Sequence, residues 1–460
     1  MQPLRVHSPG KKGFPVTGIL WLGLAAAGAW LLATPSVSPY LGLSLAIGVL
    51  TLFVAAIVAT FSLRYMRADD QSTRFFLTLG ALVAAVLAFL FTGNLLVLGI
   101  AWCASGWLLA ALIGHAEGWV EAKAAGRRTR HAFFLGDAAL LAALGILGWH
   151  AGSLQLDASI ADAATLPALI GTVVALLLVV AAAARCALPP FSGWLLSSMT
   201  APTPVSALMH AGLVNAGGFL LIRFASVLEA APIARTVAVV VGLCGAIYGI
   251  GIMMVRPDVK RSLAGSTVSQ MGFMIMSCGL GAYAAALWHI IAHGLFKAWL
   301  FLGSGSTIGM KGGRPEAPLS VRATLVTMAA TFGVALLILS TGEGDAGLVP
   351  LLLGIATAIM TLVSSLGGKE PVRAKVVLLL ALSVLIAFHS AGLVLAGMAI
   401  GHHASPLVPD WALLALLVGF LGAWAWQQLR LSTGRGLPLG LYVHLINAGA
   451  LPASGIGDEK

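Results

Sequence analysis

Long apolar runs alternate with short polar joints along almost the whole chain. Runs of about 18 or more apolar residues are read as membrane-spanning helices. Candidates fall at 15–33, 39–64, 74–92, 94–114, 131–150, 166–185, 203–228, 233–255, 259–281, 283–309, 320–340, 346–366, 374–400 and 408–430. Every backbone polar group in lipid needs an internal partner, so the pattern predicts an all-α fold, a polytopic membrane protein with about 14 transmembrane helices. The transmembrane domain covers 15–430, between a basic N-terminal stretch, 1–14, and a polar tail, 431–460. The run from Pro15 to Ala33 follows a basic start but offers no small-residue cleavage site, and it is kept as a span.

One segment breaks the alternation. After 166–185 come Pro189, Pro190, Pro202 and Pro204, with Ser192, Gly193, Ser197 and Ser198 scattered through an apolar interval. Successive prolines stop a helix, because each lacks the N–H and clashes with the preceding turn. The pattern predicts at least one interrupted helix followed by a short re-entrant or interfacial piece; an ordinary cytoplasmic loop is the other reading. Interrupted helices mark transport sites.

The polar positions inside the runs are few. His289, His293 and Lys297 recur every four residues in WHIIAHGLFKAWLFL, so on a helix they share one face. A lysine near the middle of a span costs a few kcal/mol or more, which makes it a functional candidate; a purely structural ion pair is the alternative. Asp137 lies inside 131–150, as a functional acid or as an interfacial acid that reaches for water. Arg185 closes 166–185, where it either caps the helix C-terminus or serves as a topology charge. His210 sits in 203–228, where a lone histidine on an apolar face is more often a hydrogen-bonded core residue than a proton carrier. Arg223 is expected to snorkel to the interface. His389 is read as core. Histidines titrate near neutrality and a desolvated lysine exchanges its proton more readily, so the set reads as a proton relay.

Composition narrows the class. Of 460 residues, 59% are hydrophobic and only 9% charged, and mean hydropathy is +0.98. A soluble domain carries about 25% charged residues, so soluble classes are excluded. The net charge of +10 does not signal nucleic acid, since the basic residues stand between apolar runs as topology marks. One set of alternate joints holds Arg5, Lys11, Lys12; Arg64, Arg67, Arg74; Lys123, Arg127, Arg128, Arg130; Arg256, Lys260, Arg261; Lys311, Arg314, Arg322; Lys369, Arg373, Lys375; and Arg430, Arg435. The other set holds Arg235 among Asp157, Asp162, Glu229, Glu343, Asp345 and Asp410, which predicts cytoplasmic termini. Cys103, Cys186, Cys244 and Cys278 are isolated, with no metal, haem or iron–sulfur spacing, so no cofactor and no metal site is expected. No nucleotide-binding glycine pattern occurs, which leaves an ion gradient as the energy source.

The stretches ARCALPPFSGWLLSSMTAPTPVSALMHAG, PDVKRSLAGSTVSQMGFM and HIIAHGLFKAWLFLGSGS resemble the proton-translocating antiporter-like subunits. That superfamily includes the large membrane-arm subunit of respiratory complex I and the multisubunit sodium/proton antiporters. LRYMRADDQSTRFF and NLLVLGIAW extend the likeness over about residues 40–310. The resemblance implies a hydrophilic axis at Arg185, His210, His289, His293 and Lys297, with Asp137 as a further family acid. Departures accompany it. Cys103 follows Trp102 where the family has glutamate, and Arg185 replaces a lysine; an arginine does not deprotonate in a protein. A second interrupted helix, expected near 320–345, would carry Glu343 and Asp345 but no lysine. The absence of a long C-terminal lateral helix also argues against complex I.

Within the superfamily, PTPVSALMHAGLVNAGGFLLIRFA is most similar to the membrane subunits of Dab-type inorganic carbon transporters. That resemblance implies a bacterial inner-membrane location and a DabA-like partner subunit, similar to a zinc β-carbonic anhydrase. In that scheme cation influx, H+ or Na+, drives hydration of CO2 to bicarbonate in the partner, and this chain is not itself an enzyme. The alternatives are a proton-pumping subunit of an NADH-quinone oxidoreductase or a multisubunit cation/proton antiporter, a quinone-reactive membrane enzyme, and a bare anchor for the partner.

Overall fold

Apolar runs become helices here because a helix pairs every backbone group within its own segment. A computed structural model describes residues 13–33, 39–304, 372–400, 410–432 and 437–450, with isolated positions 325, 328, 329, 333 and 407. The expected spans 320–340 and 346–366, with Glu343, Asp345 and the second interrupted helix, lie outside the described residues. Among the described residues, nine helices are long and apolar enough to cross a membrane, and the secondary structure is helical apart from one isolated bridge between Asn94 and Gln155.

In chain order the helices are α1 (Phe14–Ala33), α2 (Pro39–Tyr65), α3 (Ser72–Phe91), α4 (Leu95–Ile113), α5 (Val120–Ala151), α6 (Leu156–Asp162) and α7 (Ala168–Arg185). There follow α8 (Gly193–Ser197), α9 (Thr203–Ala211), α10 (Ala216–Arg223), α11 (Ala225–Glu229), α12 (Pro232–Val255), α13 (Val259–Leu280) and α14 (Tyr283–Gly303). The last three described are α15 (Val372–Ile400), α16 (Asp410–Ser432) and α17 (Leu439–Ile446).

Local chemistry sets the ends that matter. Asn94 caps α4 by accepting from the N–H groups of Leu96 at 2.9 Å and Val97 at 3.2 Å. Asp258 caps α13 through the N–H of Arg261 at 2.8 Å. Gly281, at φ +89°, closes α13 in the left-handed conformation and turns the chain directly into α14. The antiparallel hairpin α13–α14 that results carries most of the candidate site. Behind it, α12 approaches α13 through glycines: a Cβ on Gly249 would lie 2.6 Å from the carbonyl oxygen of Gly265, and one on Gly242 would lie 2.6 Å from that of Gly272. Small residues let membrane helices come this close.

Several expectations change. The span at 131–150 is the second part of α5, which starts at Val120, so Lys123, Arg127, Arg128 and Arg130 stand on helix rather than in a joint. The span at 203–228 is broken. Gly212 ends α9, Leu213–Asn215 forms a 3₁₀ turn, and Asn215 donates its amide to the freed carbonyl of Ala211 at 2.8 Å. Most of the proline segment packs against the helices instead of standing free as a loop. Trp194, Leu195, Leu196 and Ser198 of this piece are buried, and Trp194 donates to the terminal carbonyl of Ala184 at 3.0 Å. Arg223 does not snorkel; it is buried and donates to Ser44 Oγ at 2.9 Å. Arg235 is no joint charge either. It lies buried in the first turn of α12 and donates to the carbonyls of Gly279 and Leu280, both at 3.0 Å, which places a cation at the C-terminus of α13.

Candidate functional site

The six candidate residues gather in two buried clusters. The first joins α4, α5 and α7. Arg185, 1% exposed, donates to Asp137 at 3.2 Å, to Ser105 Oγ at 3.1 Å and to the carbonyl oxygen of Trp102 at 3.0 Å. Its guanidinium lies 4.2 Å from the Trp102 ring centre and 4.5 Å from that of Phe133, a desolvated cation–π sandwich. Gly106 makes room, since a Cβ there would come within 3.1 Å of the guanidinium. Arg185 is therefore neither a helix cap nor a topology charge, and Asp137, 6% exposed, is not an interfacial acid. Together they form a fixed buried ion pair. Cys103, on the next position after Trp102, sits within electrostatic reach of both.

The second cluster joins α9, α13 and α14. Lys297 is 1% exposed and donates to Ser266 Oγ at 3.0 Å and, more loosely, to the carbonyl oxygen of Leu263 at 3.4 Å. Among the described residues no carboxylate lies within ion-pair distance of it. The structural ion pair allowed by the sequence is absent there. His210 Nδ1 meets Thr267 Oγ1 at 3.0 Å, while that hydroxyl donates its hydrogen to the same Leu263 carbonyl at 3.0 Å. The hydroxyl thus accepts from the imidazole, which fixes His210 with its hydrogen on Nδ1 and a lone pair on Nε2. Phe301 stacks on the His210 ring at 4.1 Å and 12°.

His289 and His293 stack one turn apart, ring centres 5.5 Å apart at 18°. The Nε2 atoms of His210, His289 and His293 are all buried with no protein partner among the described residues, as is the hydroxyl of Ser206 on α9. Buried polar atoms are as a rule hydrogen-bonded, to ordered water where protein offers nothing. Three such nitrogens within electrostatic reach of one buried lysine mark a place built for water. Gly294 permits the geometry, because a Cβ there would lie 2.6 Å from the carbonyl oxygen of Ala211, next to His210.

Residue types alone did not single out Ser266, Thr267 and Leu263. A signal was present in the spacing. Ser266 lies fifteen residues before Gly281 and Lys297 sixteen after it, so an α13–α14 hairpin sets them level. His389, read as core, is half-buried on α15 and accepts at Nδ1 from Trp288 Nε1 at 2.8 Å. The two clusters share no hydrogen bond or ion pair among the described residues. No group of three or more His, Cys, Asp or Glu side chains with metal-binding geometry occurs among the residues described.

Known proteins resemble this one in sequence and in fold. The chain is 40% identical over 268 residues to the probable inorganic carbon transporter subunit DabB1 of Halothiobacillus neapolitanus, covering 55% of this chain and 47% of that protein. It is 34% identical over 292 residues to NADH-quinone oxidoreductase subunit L of Mycobacterium tuberculosis, covering 62% of this chain and 46% of that protein. The chain thus spans about half the length of the curated relatives it matches. The structure of the Mrp complex from Dietzia sp. DQ12-45-1b matches 92% of this chain and 54% of its own, with a TM-score of 0.65 at 22% identity, which establishes a shared fold. Residues 92–383, well over half of the sequence, match the family described as NADH:quinone oxidoreductase/Mrp antiporter, TM, and the chain belongs to that family of multi-pass membrane proteins.

Proposed function

We propose that this chain is the ion-conducting membrane subunit of an energy-coupled inorganic carbon accumulation complex. The observation that carries the reading is Lys297, buried without a carboxylate partner among the described residues and ringed by imidazoles whose Nε2 atoms have no protein partner. A cation in that position is stable only while something else compensates it, so its proton is held conditionally. Water between His210, His289, His293 and Lys297 completes a path along α14. The ion is H+. The oxygens of Ser266, Thr267 and Leu263 are already engaged and the unpartnered histidine atoms are nitrogens, whereas a sodium ion needs several converging oxygens and would meet the lysine ammonium. Arg185 and Asp137 act as a fixed electrostatic element beside the path, because an arginine does not release its proton.

The relatives named as inorganic carbon transporter subunits support the carbon side of the reading, and the partner's chemistry follows from the Dab-type resemblance. Proton influx through this subunit drives hydration of CO2 to bicarbonate in a DabA-like, zinc-containing partner of the carbonic-anhydrase type. Each proton moved down 100 mV releases about 2.3 kcal/mol. The location is the bacterial inner membrane with cytoplasmic termini, supported by the basic joints on one side. A pumping module of a quinone oxidoreductase or a cation/proton antiporter is the second reading, favoured by the likeness to subunit L.

One experiment addresses both levels. The chain is expressed from its own operon and purified, and Lys297→Ala and His293→Ala are scored for growth at ambient CO2. The expected outcome is co-purification of one zinc-binding subunit, with growth lost in both variants although the complex still assembles. Unchanged growth in both variants overturns the role of the cluster, and co-purification of redox subunits instead of a zinc protein favours the second reading.

A further inference from the structure

Trp288 and His389 form a side-chain contact that the path along α14 does not use. The indole N–H donates to His389 Nδ1 at 2.8 Å, linking α14 to α15. The site is shaped for that indole. Gly392, one turn beyond His389, lies directly against the Trp288 ring, where any Cβ would collide with it. Phe388 packs edge-on to the same ring at 5.2 Å. Trp288 precedes His289 in sequence, and His289 interacts electrostatically with His389. The indole bond thus joins the helix that carries Lys297, His293 and His289 to a second helix.

The hydrogen bond dictates what His389 can do. A neutral imidazole whose Nδ1 accepts from indole carries its hydrogen on Nε2. Its sole basic lone pair is then occupied. We propose that the Trp288–His389 bond is a latch on the ion path, and that a proton passes beyond His289 only when this bond opens. The proposal rests on the reading of this chain as a proton conductor. In the step, a proton arriving through water from the His289 side adds to Nδ1, the indole hydrogen bond breaks, and the ring becomes imidazolium. Loss of the Nε2 proton to water leaves a neutral ring with hydrogen on Nδ1; a half-turn carries that N–H away from the indole, exchange through water moves the hydrogen to Nε2, and the return turn restores the acceptor. No electrons are transferred.

Two described helices, α2 and α14, pack on α15. The titratable side chains they carry are Tyr283, His289, His293 and Lys297 on α14 and, among described side chains of α2, Arg64 and Tyr65. Those two lie at the end of α2 opposite Gly42, which meets Ala399 of α15. Among these side chains, His289 is the one whose electrostatic interaction with His389 is resolved.

The test uses the intact complex in proteoliposomes, with proton flux read from an internal pH dye and ring tautomers from 15N-histidine spectra. His389→Asn keeps an acceptor for Trp288 at the place of Nδ1 but takes no proton, so its flux should fall to background. Trp288→Phe should raise flux about five-fold, the factor carried by one net hydrogen bond. The parent spectrum should show the His389 hydrogen on Nε2, and Trp288→Phe should lose that single tautomer. Parent-level flux in His389→Asn, unchanged flux in Trp288→Phe, or a parent His389 with hydrogen on Nδ1 overturns the latch. Lys297→Ala in the same assay separates the two ideas. If it conducts normally the proton-path reading fails, whereas a dead Lys297→Ala beside a fully active His389→Asn removes the latch alone.

Discussion

The Arg185–Asp137 pair and Lys297 solve the problem of a buried charge in opposite ways. The pair is closed, with Arg185 bound by a carboxylate, a hydroxyl and a carbonyl between two aromatic rings. Removing one member of such a pair strands the other charge and costs about 3–5 kcal/mol. Asp137→Asn and Arg185→Gln should each lower the melting temperature of the purified complex sharply, and the double variant should recover part of the loss. A double variant whose loss equals the sum of the two single losses would show that the pair is not coupled. Lys297 by contrast is open, held by a hydroxyl and a distant carbonyl. This contrast was half legible in the sequence. The four-residue spacing of His289, His293 and Lys297 announced a stripe, but nothing in the residue types told that Arg185 would meet Asp137 across 48 positions. That pairing is made by the packing of α5 on α7.

At the level of the element, the site depends on how close three helices come. The approach of α12 to α13 leaves no room for side chains at Gly242, Gly249, Gly265 and Gly272. Gly249→Val should push α13 outward and cost about 1–3 kcal/mol of overpacking. Because α13 supplies Ser266, Thr267 and Leu263, proton flux should fall with stability even though the substituted residue touches no member of the cluster. A Gly249→Val protein that keeps parent flux and melting temperature would show that α13 is not held by this contact. Apolar periodicity located the described helices well. It did not see the break at Gly212, because GLVN is apolar enough to continue a span and the stop comes from backbone geometry that Asn215 then satisfies. Nor did it see α5 reaching back to Val120, since charged residues with good helix propensity extend a helix past the apolar region.

On the scale of the whole molecule, buried polar groups lie on one continuous route of helices: α4, α5 and α7 around Arg185, then α9, α13 and α14 around Lys297, then α15 at His389. The C-terminal segment closes over the same region. Leu445 of α17 packs on α12 at Gly251, Gly449 rests on Leu196 of α8, and Arg128 of α5 donates to the carbonyl of Ala450 at 3.0 Å. The buried proline segment thus lies between α5 and the C-terminal described residues. All of this serves one claim, that Lys297 conducts by gaining and losing a proton. Lys297→Arg tests it most directly, since arginine keeps the charge and the hydrogen bonds to Ser266 but does not deprotonate. Proton flux into proteoliposomes bearing the intact complex should fall to the level of empty vesicles in Lys297→Arg, with assembly and melting temperature retained. Flux equal to the parent in an assembled Lys297→Arg complex would contradict the account.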